Sequence, residues 1–355
     1  MAPGWLPSPP PRTYDSRRRR GHITIHGLLA TILLALLFIF HSVGVALRRL
    51  VRGPLRPAWT WRQEATVRYL RWLACHLSRR PIGRMQALVE RMPAPLGRLS
   101  SRVELRSVDV GSIPGEWIVP REGDSAVTLY YLHGGGYVLC SVATHRHLIA
   151  RLCLVAQARA LGINYRLGPQ HPFPAALDDA VAGYRWLLQH QPARRIIIAG
   201  DSAGGGLAVA TMIALRRSGD PLPAGAVLLS PWVDLASEDD SLEENAHVDY
   251  LGGDPRFLDR MAGMYLGGAD RRDPLASPVH GDLRGLPPLL IQAGGVEMLL
   301  DQAERLAQRA RSAGVDAELQ VWPNMVHVWQ AFGGLFARQA REALVEIGSF
   351  VRRVQ

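Results

Sequence analysis

With 355 residues, 48% of them hydrophobic, the chain can bury a sizeable core, and the absence of any fixed-period repeat excludes a solenoid. The formal charge of +10 is unevenly placed: residues 1–80 hold 14 arginines against Asp15 and Glu64 (+12), whereas the other 27 arginines face 29 acids (−2), and there is no lysine. A basic segment beside an apolar one reads as charge at a lipid surface, and the near-neutral remainder argues against a nucleic-acid partner.

Residues 1–21 are rich in proline and arginine, including the run Arg17–Arg20, and are expected to be disordered. Residues 22–47 are apolar: Ile23 to Leu47 contains no acid and no arginine, and is long enough for a hydrocarbon core about 30 Å thick. A cleaved signal peptide, with an apolar stretch of about 7–15 residues, is the alternative, and Gly44 and Ala46 mimic a cleavage site. The expectation is a single-pass N-terminal transmembrane helix with the lipid bilayer as partner. Arg12 and Arg17–Arg20 precede it, while Arg48, Arg49, Arg52 and Arg56 follow, so the positive-inside rule assigns the globular part to neither side. A linker, 48–57, then leads to the globular domain, 58–355.

From about Ser125 strands and helices alternate. Ala126–Leu132 reads as a strand, Arg146–Ala160 and Asp178–His190 as helices, and Arg194–Gly200 as a central strand. Leu207–Gly219 is helical, Gly225–Trp232 and Pro287–Gly294 are buried strands, and Ala317–Trp322 is strand-like. Asp301–Gly314 and Gln339–Val354 supply later helices. This rhythm implies βαβ units and a mainly parallel sheet. Cys75, Cys140 and Cys153 form no CxxC and are expected as isolated, mostly buried thiols.

Two motifs sit at strand ends. Gly200-Asp201-Ser202-Ala203-Gly204 fits the G-x-S-x-G elbow, in which a sharp strand-to-helix turn projects the serine above the sheet. The bland reading, a glycine-rich turn, is weakened by the position between an Ile-rich strand and a long helix. Upstream, His133-Gly134-Gly135-Gly136-Tyr137 leaves another strand. Glycines there would expose backbone N–H donors to a developing oxyanion, together with the amide of Ala203 at the next helix start. His133 reads as a brace for that loop.

With both motifs present, the chain resembles the hormone-sensitive-lipase-like branch of the α/β-hydrolases, which includes bacterial carboxylesterases and arylacetamide deacetylases. The resemblance extends over about residues 95–350 through Tyr165–Leu187, Leu228–Leu235, Asp273–Pro278 and Asn324–Trp329. Gln170 stands where the family usually has Glu, at a structural position. The resemblance implies an α/β-hydrolase fold, with a helical cap built from about 58–120 and 237–268. Trp59, Trp61, Tyr69 and Trp72 are candidates for the cap's inner lining, with core packing as the bland alternative, and Tyr137 is a candidate border of the acyl pocket.

A serine nucleophile needs a base, and the base an orienting carboxylate, in the chain order Ser, acid, His. Of the histidines after Ser202, His327 lies in the family's loop, whereas His247 and His280 read as surface residues. The family's D-P-L-x-D is replaced by Glu297-Met298-Leu299-Leu300-Asp301, so Glu297 is the candidate acid and Asp301 the alternative. Asp301 also suits the N-cap of its own helix, with Glu304 three residues on. Asp201 and Asp234 read as structural, and Asp178–Asp179 as a helix start. No metal-ligand cluster and no Walker-type loop is present, so neither metal nor cofactor is expected. The implied activity is hydrolysis of short- to medium-chain acyl esters through an acyl-enzyme. Amide hydrolysis or acyl transfer by the same triad is the alternative, and a non-catalytic ligand-binding protein is a further one. A homodimer is left open.

Overall fold

The computed structural model describes residues 25–91, 99–123, 126–236, 239–254 and 256–355, with the side chains of the first helix described from Leu36 onward. Its centre is an eight-stranded sheet. Strands β1 (Val103–Val110), β2 (Ile113–Pro120), β3 (Thr128–Leu132), β4 (Arg159–Ile163), β5 (Ile196–Asp201), β6 (Gly225–Leu229), β7 (Leu289–Gly294) and β8 (Ala317–Trp322) lie in the order β1-β2-β4-β3-β5-β6-β7-β8. The β1–β2 and β2–β4 pairs are antiparallel and the rest parallel.

Helices cover both faces. α5 (Ala175–Leu188), α6 (Ala203–Ser218) and α9 (Leu300–Ser312) pack on one side, and α4 (Val142–Ala156) and α10 (Ala337–Arg353) on the other. In β5, Ile196 and Ile198 enter the first core while Ile197 and Ala199 enter the second. A strand covered on both faces has no reason to alternate with polar residues, which is why this run is uninterrupted.

Two departures from the sequence reading add strands to the sheet. The helix expected to run to Ala160 stops at Ala156, where Gln157 turns left-handed (φ 49°), and β4 follows at once. That strand was hidden because alanine and glycine are weak strand formers; Gly162 is needed there, since a Cβ would stand 2.8 Å from the Val142 side chain. Residues 103–120, assigned to the cap, instead form β1 and β2 of the sheet.

The cap combines α2 (Trp61–Ser78) and α3 (Ile82–Arg91) with α7 (Asp240–Glu244) and α8 (Phe257–Leu266). Arg71 of α2 ties the two parts together by donating to the carbonyls of Ala246, Asp249 and Gly252, and Ser78 donates to Asp254 at 2.7 Å.

At the N-terminus, α1 (Ile25–Arg52) continues through the first half of the stretch expected as a linker. Among the described residues no helix is long and apolar enough to cross a membrane, so the expected transmembrane helix over 22–47 is not supported. Residues 1–24 lie outside the described residues. The physical reason is visible at the other end: Arg48 and Arg49 reach the buried Glu64 of α2 at 3.1 and 2.9 Å, and Val45 is buried. This end of the apolar segment is docked on protein.

Candidate active site

β5 ends at Asp201, and Ser202 takes φ 51°, ψ −124°, a conformation that L-residues avoid and that marks a strained functional turn. The strain is held by hydrogen bonds: Ser202 N donates to Leu229 O (2.8 Å), and Ser202 O accepts from the amides of Gly205, Gly206 and Trp232 at 2.9–3.1 Å. A Cβ on Gly200 would collide with the Gly204 carbonyl, and one on Gly204 with the Leu132 carbonyl. The glycines of the motif are therefore steric requirements of strand and helix crossing at this point.

Asp201 joins the elbow to the glycine loop. Its carboxylate accepts from Tyr131 OH (2.5 Å) and Gly134 N (3.1 Å), and meets His145 Nε2 at 3.2 Å. Burial opposes charge on both Asp201 and His145. The pairing prevails, holding the carboxyl below and the imidazole above their ordinary values. Gly134 was expected in the oxyanion hole, but its N–H is taken by Asp201. Gly135 (φ 115°) and Gly136 (φ 63°) instead turn toward the cavity, where they line the wall with Ser202. Ala203 opens α6, so its amide lies at a helix N-terminus beside the serine. His133 is buried against Tyr165, its ring stacked at 4.3 Å, and its Nδ1 lies 2.8 Å from Gly134 O. Burial pushes its imidazole down to about 3, as suits a neutral brace.

The histidine arrives from the other side of the sheet's end, in the loop after β8. Val328, next to it, is left-handed (φ 46°), and its amide donates to Ser230 Oγ at 3.0 Å. Ser230 Oγ in turn donates to Glu297 Oε2 at 2.6 Å, and Gly294 N donates to the same oxygen at 2.9 Å. Glu297 Oε2 lies 4.0 Å from His327 Nδ1. Both side chains are buried; Glu297 Oε1 and His327 Nδ1 have no hydrogen-bond partner among the described residues. Burial drives the Glu297 carboxyl up to about 8 and the His327 imidazole down to about 4. Burial thus disfavours an isolated charge on either group, while the hydrogen bonds from Ser230 and Gly294 favour the ionised form of Glu297.

Ser202 and His327 open onto one cavity of about 270 Å³, roofed by apolar cap residues including Leu77, Met85 and Met261. Over residues 129–331 the chain matches the sequence profile of the family described as alpha/beta hydrolase fold. It is 49% identical to an acetyl-hydrolase of Streptomyces hygroscopicus, over 69% of this chain and 81% of that protein. It is 34% identical to the esterase LipU of Mycobacterium tuberculosis, over 70% and 85% respectively. Two solved structures are similar throughout the domain. A hormone-sensitive lipase from a metagenome library has TM-score 0.76, 41% identity, and coverage of 81% of this chain and 98% of that one. An esterase of the bacterial hormone-sensitive lipase family has TM-score 0.74, 41% identity, and coverage of 81% and 97%. The chain belongs to the hormone-sensitive-lipase-like α/β hydrolases.

In this α/β hydrolase Asp301 does not cap its own helix. Its carboxylate accepts from Ser241 N at 2.8 Å, in the first turn of α7, and so ties the cap to the sheet domain. Tyr137 does not border the cavity: its ring stacks on Tyr265 at 3.9 Å, buried behind the glycine loop. The aromatic residues expected under the cap also face elsewhere. Trp59 donates to Asn324 O (2.7 Å), Trp61 to Ser42 O (3.1 Å), and Tyr69 packs edge-on against Phe38. The aliphatic side of α2, Ala74 and Leu77, lines the cavity instead. His247 and His280 are exposed, and Asp234 accepts from the amide of Ala236. His145 and Tyr250, whose ring lies 6.0 Å from His327, were missed; both line the cavity, and neither stands in a motif that marks it. Among the described residues no group of His, Cys, Asp and Glu could hold a metal ion.

Proposed function

We propose that this α/β hydrolase cleaves short- to medium-chain acyl esters through Ser202, His327 and Glu297. The observation that carries this reading is the shared cavity: a strained serine and a neutral, buried imidazole face one apolar space, with a carboxylate oxygen 4.0 Å behind the imidazole. Ser202 Oγ attacks the ester carbon as His327 accepts its proton, and the carbonyl oxygen gains the negative charge. The amides of Gly135, Gly136 and Ala203 receive that charge, each such donor contributing about 3–4 kcal/mol to the transition state. The imidazolium is charged only now, and Glu297, held by Ser230 and Gly294, stabilises it. The tetrahedral intermediate then expels the alcohol, which takes the proton from His327 and leaves an acyl-enzyme. Water, deprotonated by His327, attacks the acyl carbon and regenerates Ser202.

The apolar, modestly sized cavity favours small apolar acyl groups, in keeping with the acetyl-hydrolase and esterase relatives. Labelling with a fluorophosphonate, together with turnover of p-nitrophenyl acetate and butyrate, tests the reading. Wild type labels at Ser202 and turns over, and Ser202→Ala does neither; a folded wild-type chain that takes no label defeats it.

A further inference from the structure

Helix α1 sits on the domain with its faces reversed. Its polar groups point inward: Ser42 is buried, and Arg48 and Arg49 close on Glu64. Outward stand Leu36, Ile39, Phe40, Val43, Leu47 and Leu50, exposed by 57, 55, 73, 52, 60 and 84%. Apart from the adjacent pair Ile39 and Phe40, their spacing of three or four residues draws one stripe along the helix. Of the twelve large apolar side chains exposed among the described residues, nine fall between Leu36 and Trp61. A patch so concentrated marks a surface that something covers.

The surroundings of the stripe are basic. Arg52, Arg62 and Arg68 are exposed. A cavity of about 280 Å³ between α1, α2 and the cap is lined by Arg48, Arg68, Arg71, His247 and a single acid, Glu64. Arg48 is occupied by Glu64 and Arg71 by cap carbonyls, whereas Arg68 has no hydrogen-bond or ion-pair partner among the described residues. An apolar stripe edged by unpaired arginine is complementary to an anionic lipid surface. A second copy of the chain fits less well, since a two-fold contact would bring the same basic rims together.

We propose that this face seats the domain on an anionic bilayer, with α1 lying along the surface and the Arg68 cavity receiving a lipid phosphate. The stripe from Leu36 to Leu50 is about 21 Å long at 1.5 Å per residue, and a surface helix of this kind sinks about 5–10 Å into the headgroup–acyl boundary. The helix that rests on α1, α2, is the one that lines the active-site cavity with Ala74 and Leu77, so docking sets the catalytic cavity close to lipid-borne substrate. Vesicle binding is read without turnover, so its failure and a failure of the catalytic assignment are separate results.

The test is co-sedimentation of the full chain with phosphatidylcholine vesicles, with and without phosphatidylserine, at low and high salt. Binding should require phosphatidylserine and weaken as salt screens the arginines. Arg68→Gln should lower affinity about fivefold, the contribution of one arginine near an anionic surface. Leu47→Asp/Leu50→Asp should release the chain while hydrolysis of soluble p-nitrophenyl butyrate stays at the wild-type rate. Equal binding to neutral vesicles, or binding retained in that double variant, overturns the proposal. A dimer in sedimentation equilibrium that the double variant dissociates also overturns it, by assigning the stripe to a second copy. Retention of the wild-type chain in membranes after alkaline carbonate would overturn surface docking as well.

Discussion

The two halves of the candidate site are built on opposite principles. On the elbow side, the carboxylate of Asp201 is fully engaged by Tyr131, Gly134 and His145, and the glycine loop and the serine turn are locked to each other through it. On the histidine side, Glu297 Oε1 and His327 Nδ1 are buried without partners among the described residues, and burial favours the neutral form of both residues. The difference teaches where charge is needed. The oxyanion donors must be in place before the reaction begins, so their supports are paired at rest. The imidazole has to become charged during the reaction, and a low-polarity pocket makes that charge depend on the carboxylate beside it.

The sharpest break of this comparison is at its ends. Ser202→Ala and His327→Ala should each lower kcat by about 10⁶-fold, the scale at which loss of nucleophile or base disables a triad. Near-wild-type turnover in either, with circular dichroism unchanged, would remove the triad. Glu297→Ala should cost about 10⁴-fold in kcat, and Glu297→Asp should retain partial activity, because the charge survives on a shorter reach. Asp201→Asn tests the paired half: weakening its hold on Gly134 should cost about 10²-fold, the effect of compromising one oxyanion donor, with KM little changed.

Smaller effects probe the unpaired half through pH. The folded Glu297 carboxyl is raised from 4.5 to about 8, so the folded chain keeps a proton that the unfolded chain has lost. The associated stability is full below 4.5 and drains away as pH climbs to about 8. Glu297→Gln stays neutral throughout, so its Tm relative to wild type should rise across that window; a flat difference would mean the carboxyl is not held protonated. Because the triad needs the Glu297 carboxylate, the acid limb of kcat/KM should follow that group, at about 8, and not the His327 imidazole, which burial lowers to about 4. Smallest of all, Asp301→Ala should cost about 0.5–2 kcal/mol of stability, the scale of a lost helix cap, through release of the Ser241 amide, with kcat little changed. If Asp301→Ala is the inactive variant and Glu297→Ala only the less stable one, the two carboxylates have been exchanged.

Much of this molecule was legible in its residues because the responsible forces are local. Ile196–Ala199 reads as a buried strand on hydrophobicity alone, and Gly200, Ser202 and Gly204 report a backbone conformation that only small residues permit. Motif order placed Ser202 and His327, and the structure brings them to one cavity. What tertiary structure decided was every question of direction. Glu297 and Asp301 are four residues apart at one helix start, and no local pattern tells which carboxylate turns to the histidine. Ser230, just past the end of the neighbouring strand β6, holds one, and Ser241 of the cap takes the other. Gly134 looked like a donor to an oxyanion until Asp201 was found on its amide. The aromatic and aliphatic sides of α2 are equally apolar in sequence, and only their neighbours separate the one that meets α1 from the one that meets the cavity. Residues 36–47 likewise read as a uniform apolar run. Packing on α2 covers Ser42 and Val45 and leaves Leu36, Ile39, Phe40, Val43, Leu47 and Leu50 as an outward stripe. Hydrophobicity fixes that a side chain is to be covered; the partner that covers it is chosen by contacts distant in sequence.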